Sequence, residues 1–236
     1  MSHAGAVFIK QGLDMRRNPM TLIQFLVFPV VAFVFTLLVA RPDPDIPDTM
    51  FVAMFAAIFA GMSVTTTVAS VIAEDKERAS WKFLALAGVR PQEYLLGVGG
   101  FVGAVGAVVA LVFALMGGFP GALFVRFWGV LVLGVVASVL LGATLGLLAR
   151  NQQAATATAM PVAMILGFGP LLAQFNPALA DVFAVFYTQR VASLANDPSA
   201  DLVRPLLVIA ANIAVLAGLF VLAYRATSRR PRADRP

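Results

Sequence analysis

The chain contains no cysteine and a single histidine, His3. Without cysteine there are no disulfides, thiolate metal sites or thiol nucleophiles. With one histidine near the N-terminus there is no histidine partner for a buried serine and no multi-histidine metal centre. Charge is scarce as well. Only 12% of the 236 residues are charged and 60% are hydrophobic, and the mean hydropathy is +0.89. A soluble domain carries about 25% charged residues, so this composition belongs to a membrane protein. No G-x-x-x-x-G-K-[ST] phosphate loop and no H-E-x-x-H occur, which excludes those routes to ATP or peptide hydrolysis. The long apolar runs carry no Asp, Glu, Lys, Arg or His in their middles. Proton-coupled and many ion-coupled transporters need such groups to bind and release the driving ion. Secondary active transport is therefore disfavoured, and no aspartate pair supports intramembrane proteolysis.

The charge-free runs are six: 18–40, 49–73, 94–125, 127–149, 151–180 and 205–224. Each is long enough to cross a bilayer core of about 30 Å once, at roughly 20 residues per crossing. Gly117, Gly118, Pro120 and Gly121 end the third helix early, leaving a short turn to Arg126. Pro161, Gly167, Gly169 and Pro170 interrupt the fifth run, and Pro29 and Pro161 are candidate kinks. The expected fold is an all-α polytopic membrane protein, a single transmembrane domain over residues 1–236 with six spans. The first apolar run starts too late and runs too long for a cleaved signal peptide.

Thirteen of the seventeen Lys and Arg residues fall on one side if the N-terminus is cytoplasmic. The positive-inside rule then places both termini in the cytoplasm. This arginine-rich flanking accounts for the net charge of +5 without nucleic acid as a partner. Residues 1–19 interleave Val7, Phe8, Leu13 and Met15 with Lys10, Asp14, Arg16 and Arg17. They read either as an interfacial helix on membrane lipid or as a plain basic flank. In the third outer segment, within 174–204, Val182, Phe183, Val185, Phe186 and Leu194 alternate with polar residues. This is an amphipathic or re-entrant element, either a cover on the bundle or an outer gate formed by Phe183 and Phe186. Residues 228–236 are a basic tail.

Polar residues inside the spans are neutral. Ser63, Thr65, Thr66, Thr67 and Ser70 lie in the second span, and Asn212 is alone in the sixth. Such residues bond their own helix or a neighbour; the alternative is a weakly polar substrate path through Thr66, Thr67 and Ser70. Gly99-x-x-x-Gly103 and Gly142-x-x-x-Gly146 permit close helix approach, and packing inside one subunit is their first reading.

One insert breaks the apolar pattern. Residues 74–93 carry Glu74, Asp75, Lys76, Glu77, Arg78, Lys82, Arg90 and Glu93. The acidic residues suit the start of a short helix, where negative charge favours the dipole. Trp81, Leu84 and Ala85 share one face, with Phe83 and Leu86 beside it. Gly88 and Pro91 mark a break before the third span. An aromatic face on a charged surface helix suits protein recognition; the alternative is a tryptophan at the headgroups.

The insert and the layout around it resemble the permease subunits of type-2 ABC exporters. The matching parts are the charged cluster Glu74–Arg78, a helix over Trp81–Leu86, the turn Gly88–Pro91 and the run Glu93-Tyr94-Leu95-Leu96-Gly97. Ala79-Ser80 stands where the family commonly has Gly-Thr, and Val98 where a lysine is frequent. The resemblance implies an amphipathic connecting helix over 1–19, a cytoplasmic coupling-helix loop over 74–93 and short re-entrant helices between the last two spans. It implies a chain with no catalysis of its own in a bacterial cell membrane. Such a chain pairs with a second permease copy, identical or homologous, and with a cytoplasmic ATPase dimer that binds the ATP and Mg. By this resemblance Glu74, Asp75, Glu77, Arg78, Trp81, Phe83 and Leu84 couple to the ATPase. The apolar interior then suggests export of a hydrophobic or amphipathic cargo: a drug or antibiotic, a peptide or a lipid. The rival from another class is a passive channel or scaffold that recruits a non-ATPase partner.

Overall fold

The computed structural model describes residues 3–78, 88–197 and 199–228, and among these every element is helical. Helix α1 covers His3–Arg17. Helix α2 covers Pro19–Phe35 and ends in a π-helical turn, Thr36–Ala40. Helix α3 is the second span, Thr49–Glu77. Then follow α4 (Pro91–Met116), α5 (Gly121–Leu148) and α6 (Gln152–Phe175). Two short helices, α7 (Pro177–Phe183) and α8 (Tyr187–Asn196), precede α9 (Val203–Ser228). Six of the helices, α2 to α6 and α9, are long and apolar enough to cross a membrane.

Helix α3 is the centre of the bundle, with 83% of its most apolar stretch buried, against 22% for α2 and 17% for α9. It packs on α2, α5, α6 and α8. Its contact with α2 is a ladder of phenylalanines, with Phe25 and Phe59 at 6.0 Å between ring centres and Phe35 and Phe51 at 5.3 Å. Close backbone approach replaces bulk on its other sides. A Cβ on Gly61 would lie 2.8 Å from the Gly167 nitrogen of α6, and one on Gly142 of α5 would lie 2.5 Å from the Thr65 carbonyl oxygen. Between hydrocarbon tails there is little hydrophobic gain on helix association, so such van der Waals contact is what holds spans together. Gly142-x-x-x-Gly146 thus packs inside the subunit. Gly99 meets Val139 of α5, while Gly103 faces open space.

Midway along α3, Phe59–Val64 form a π-helical stretch, which the amino-acid pattern does not announce. A π turn shifts the hydrogen-bond register and leaves backbone groups for other partners. The Ala60 carbonyl accepts from the Ser138 hydroxyl of α5, and Ser63 Oγ donates to the Gln24 carbonyl of α2 at 2.7 Å.

Two boundaries differ from the sequence expectation. Helix α5 begins at Gly121, so Arg126 lies in its second turn and not in a loop. A long arginine reaches the polar interface from inside a span end, so its charge does not force a helix to start later. The fifth span is not interrupted: Pro161 and Pro170 both lie inside a continuous α6. The break comes at Asn176, whose extended backbone precedes Pro177 and whose side chain accepts from Ala178 N–H at 2.9 Å. After it, α7 folds back on α6, with the Phe183 ring seated on Gly169. Helix α8 then runs beside Thr49–Ile58, the first ten residues of α3.

Candidate coupling site

The charged cluster is the end of α3, not the start of a separate short helix. No glycine or proline separates Ala73 from Arg78, so the helix runs on to Glu77 and Arg78 caps it, its N–H bonding the Glu74 carbonyl at 2.9 Å. Acidic side chains at a helix C-terminus oppose the dipole and need other partners. Successive residues point about 100° apart, and here three in a row find three different neighbours.

Asp75 turns inward and is 7% exposed. Its carboxylate accepts from Lys10 Nζ at 3.0 Å, from Gln11 Nε2 at 3.4 Å and from the Tyr94 hydroxyl at 2.5 Å. It therefore ties α3 to α1 and α4. Lys76 Nζ donates to the Leu147 and Ala149 carbonyls at 2.7 and 2.6 Å, satisfying carbonyls left open at the end of α5. Glu77 accepts from the Gln152 N–H at 3.1 Å, a carboxylate at the start of α6 where the dipole favours it. The same Gln152 donates from its side chain to Ser70 Oγ at 2.9 Å. Glu74 and Arg78 pair on the surface at 2.7 Å. With Arg78 largely exposed, that pair contributes only about 0.3–0.5 kcal/mol.

Burial of the Lys10 ammonium by itself would lower its pKa. The Asp75 and Asp14 carboxylates more than offset this, so the pKa stands above its ordinary 10.5. The sign follows: a raised folded value makes the stabilisation fully present below pH 10.5 and lost only as pH rises through the folded pKa.

Helix α1 is clamped to the bundle along one face. Val7, Gln11 and Met15 are buried at a four-residue spacing. Phe8 meets Phe101 edge-on at 5.3 Å, and a Cβ on Gly97 would lie 2.5 Å from Val7 Cβ. Ile9 and Leu13 point away and stay half exposed. Beside the clamp lies a cleft of about 450 Å³ whose walls mix Arg17, Arg78, Asp14 and Glu74 with Met15 and Phe101.

Chain 79–87, which includes Trp81, Phe83 and Leu84, lies outside the described residues. The chain resumes at Gly88 with φ of +79°, a left-handed turn that favours glycine. Glu93 then accepts from the Arg90 N–H at 2.8 Å and caps α4.

Several neutral polar residues of α3 bond their own helix or a neighbour. Thr66 Oγ1 bonds its own helix at the Met62 carbonyl, 2.7 Å away. Thr67 is 3% exposed and bonds Gln24 Oε1 at 3.1 Å. Ser70 holds Gln152. Thr67 is buried against α2, whereas Thr66 and Ser70, four residues apart, are only half-buried. At the far end, Phe183 and Phe186 meet at a tilt of 47° with ring centres 5.9 Å apart. Next to them the Tyr187 hydroxyl donates to Ser138 Oγ at 2.7 Å, and Ser138 in turn donates to Ala60, so one chain of bonds joins α8, α5 and the π stretch of α3. Nothing local in the sequence marks Lys76, Tyr94, Ser138 or Tyr187 as functional, because their partners lie 19 to 78 positions away along the chain.

Six apolar helices, α3 buried at their centre and its charged end bonded to four neighbouring helices, make a multi-pass membrane protein. The chain belongs to the ABC-2 family of transporter proteins, whose family model (ABC-2 family transporter protein) matches residues 42–225. It is thus the membrane permease of an ABC transporter. No curated protein matches the chain.

Proposed function

We propose that this permease is the membrane half of an ATP-driven exporter, with a separate ATPase gripping residues 74–93 from the cytoplasm. One observation carries the reading. Asp75, Lys76 and Glu77 bind α1 and α4, the end of α5 and the start of α6 respectively. A displacement of the adjoining segment 79–87 therefore reaches α3 and, through it, these four helices at once. The spans hold no ionisable driver in their middles, so the energy enters from outside the chain. Glu74, Glu77 and Arg78 keep surface for a partner, and Trp81, Phe83 and Leu84 supply the apolar anchor such an interface needs. Asp75 acts as a positioning residue behind them.

Both termini are cytoplasmic on this reading, and the cell membrane is bacterial. A second permease copy, identical or homologous, covers part of the exposed apolar flanks of α2 and α9. Cargo is hydrophobic or amphipathic, as the apolar bundle surface suggests; a drug, an antibiotic, a peptide or a lipid fits.

The test is co-purification with the partner ABC ATPase. The triple variant Trp81→Ala, Phe83→Ala, Leu84→Ala is expected to lose association by at least about tenfold, the effect of losing about 1.4 kcal/mol at an interface, while helix content is unchanged. Wild-type association together with wild-type transport in the triple variant would sink the coupling assignment.

A further inference from the structure

Helix α9 packs on α5 and α8 and makes hardly any direct contact with α6. The gap is a cavity of about 450 Å³. Leu141 of α5 forms its floor, Val162 and Ile165 of α6 one wall, and Val215 and Asn212 of α9 the other, while Phe186 closes one end. Ile165 and Val215 are 57% and 62% exposed, so the cavity opens sideways, at the depth of the spans.

Asn212 is the polar side chain that stands out in this wall. Its amide nitrogen donates to the Val185 and Val208 carbonyls, each at 2.8 Å. Carbonyl oxygens only accept, so these two bonds fix which end of the amide is nitrogen. Among the described residues nothing donates to Oδ1, and Asn212 is only half-buried, so at the depth of the spans this oxygen has no water to turn to. An amide oxygen without a donor in apolar surroundings carries an unmet desolvation cost. A ligand bringing one donor removes that cost.

We propose that this cavity binds a neutral lipophilic molecule carrying a hydroxyl or N–H group, which donates to Asn212 Oδ1 while its apolar body fills the space between α6 and α9. An ammonium fits less well, because no carboxylate lines the cavity and an unpaired charge at this depth is costly. The nitrogen of the same amide holds Val185, one residue before Phe186. Occupancy therefore bears on the connection between α7 and α8. Naming the ligand as the cargo rests on the exporter reading; the binding does not.

The experiment uses the full chain in phosphatidylcholine nanodiscs without ATPase or ATP. A diazirine-bearing long-chain alcohol and its methyl ether are photo-crosslinked at equal membrane mole fraction, and adducts are located by mass spectrometry. The alcohol is expected to label 162–166 and 211–216 about tenfold more than the ether, the factor one hydrogen bond to a desolvated acceptor supplies. Ala211→Trp, which fills the cavity from α9, is expected to abolish labelling by both probes. Asn212→Leu is expected to make them equal. Equal labelling of the wild type by alcohol and ether, the result for a surface that takes only acyl chains, overturns the proposal. So does labelling that survives Ala211→Trp. If labelling follows expectation but the alcohol is not exported when the ATPase is present, the site stands and its identification as the cargo site falls.

Discussion

Asp75→Ala is expected to loosen α1 from the bundle and to abolish transport. The carboxylate is the shared acceptor for Lys10, Gln11 and Tyr94. Truncation leaves three donors facing one another. Lys10 is 37% exposed and rehydrates, but Gln11 is 7% exposed and Tyr94 is 2% exposed, so their donors lose a partner that water does not readily replace. Leaving such groups unsatisfied costs roughly 1–3 kcal/mol, and bonds to a charged group lie at the upper end. Lys10→Met should cost less than Asp75→Ala, because the carboxylate keeps Tyr94 and Gln11. Asp75→Asn should fall between, since an amide oxygen still accepts from Tyr94. Hydrogen exchange over residues 3–17 is the decisive readout. It should accelerate in Asp75→Ala and recover in part in Asp75→Asn. In the wild type the protection factor of α1, which divides out the base-catalysed rise of intrinsic exchange, should keep the Lys10 contribution in full below pH 10.5. Unchanged exchange of α1 in Asp75→Ala would show that the apolar seam of Val7, Met15 and Phe8 holds the helix alone.

The six spans were legible because a bilayer imposes a length and excludes charge. That constraint acts on contiguous residues, so a single chain displays it directly. The direction of Asp75 was not legible. Its partners Lys10 and Gln11 lie 65 and 64 positions earlier, and an aspartate in a charged run reads the same whether it faces water or the bundle. Lys76 and Glu77 meet groups 71 and 75 positions later, and what they meet are helix ends, which exist only once α5 and α6 are placed. The expected helix start at Glu74 failed for a local reason: acidic residues favour an N-terminus, but nothing between Ala73 and Arg78 stops a helix already running. The π stretch Phe59–Val64 was invisible because it follows from tertiary partners on Ala60 and Ser63, with no propensity of its own. The hydroxyls of Thr66 and Thr67 were legible only as a choice between packing and a substrate path; what the fold adds is a bond within α3 to Met62 and one across to Gln24 of α2.

Gly142→Ala combined with Gly146→Ala is expected to be the most damaging change of one atom per residue in the chain. A Cβ at 142 would stand 2.5 Å from the Thr65 carbonyl oxygen and 2.9 Å from Val68 Cβ; at 146 it would stand 2.7 Å from the Ala69 oxygen and 3.0 Å from Ile72 Cβ. The nearest atoms are backbone, so no rotamer change relieves the clash and α3 must move off α5. Overpacking of this kind costs about 1–3 kcal/mol per site, and two sites on one interface do not add independently. Gly103→Ala and Gly129→Ala are the matched controls, because nothing lies within 4 Å of either added Cβ. Each should be neutral or raise stability by up to about 1 kcal/mol through helix propensity. Thermal unfolding in detergent separates the two pairs. Equal melting temperatures would show that α3 and α5 part without cost. A displaced α3 also carries Lys76 away from the Leu147 carbonyl that it holds at 2.7 Å. The double variant should therefore uncouple transport from ATP hydrolysis even below its melting temperature, because the movement delivered at residues 74–78 no longer reaches the end of α5.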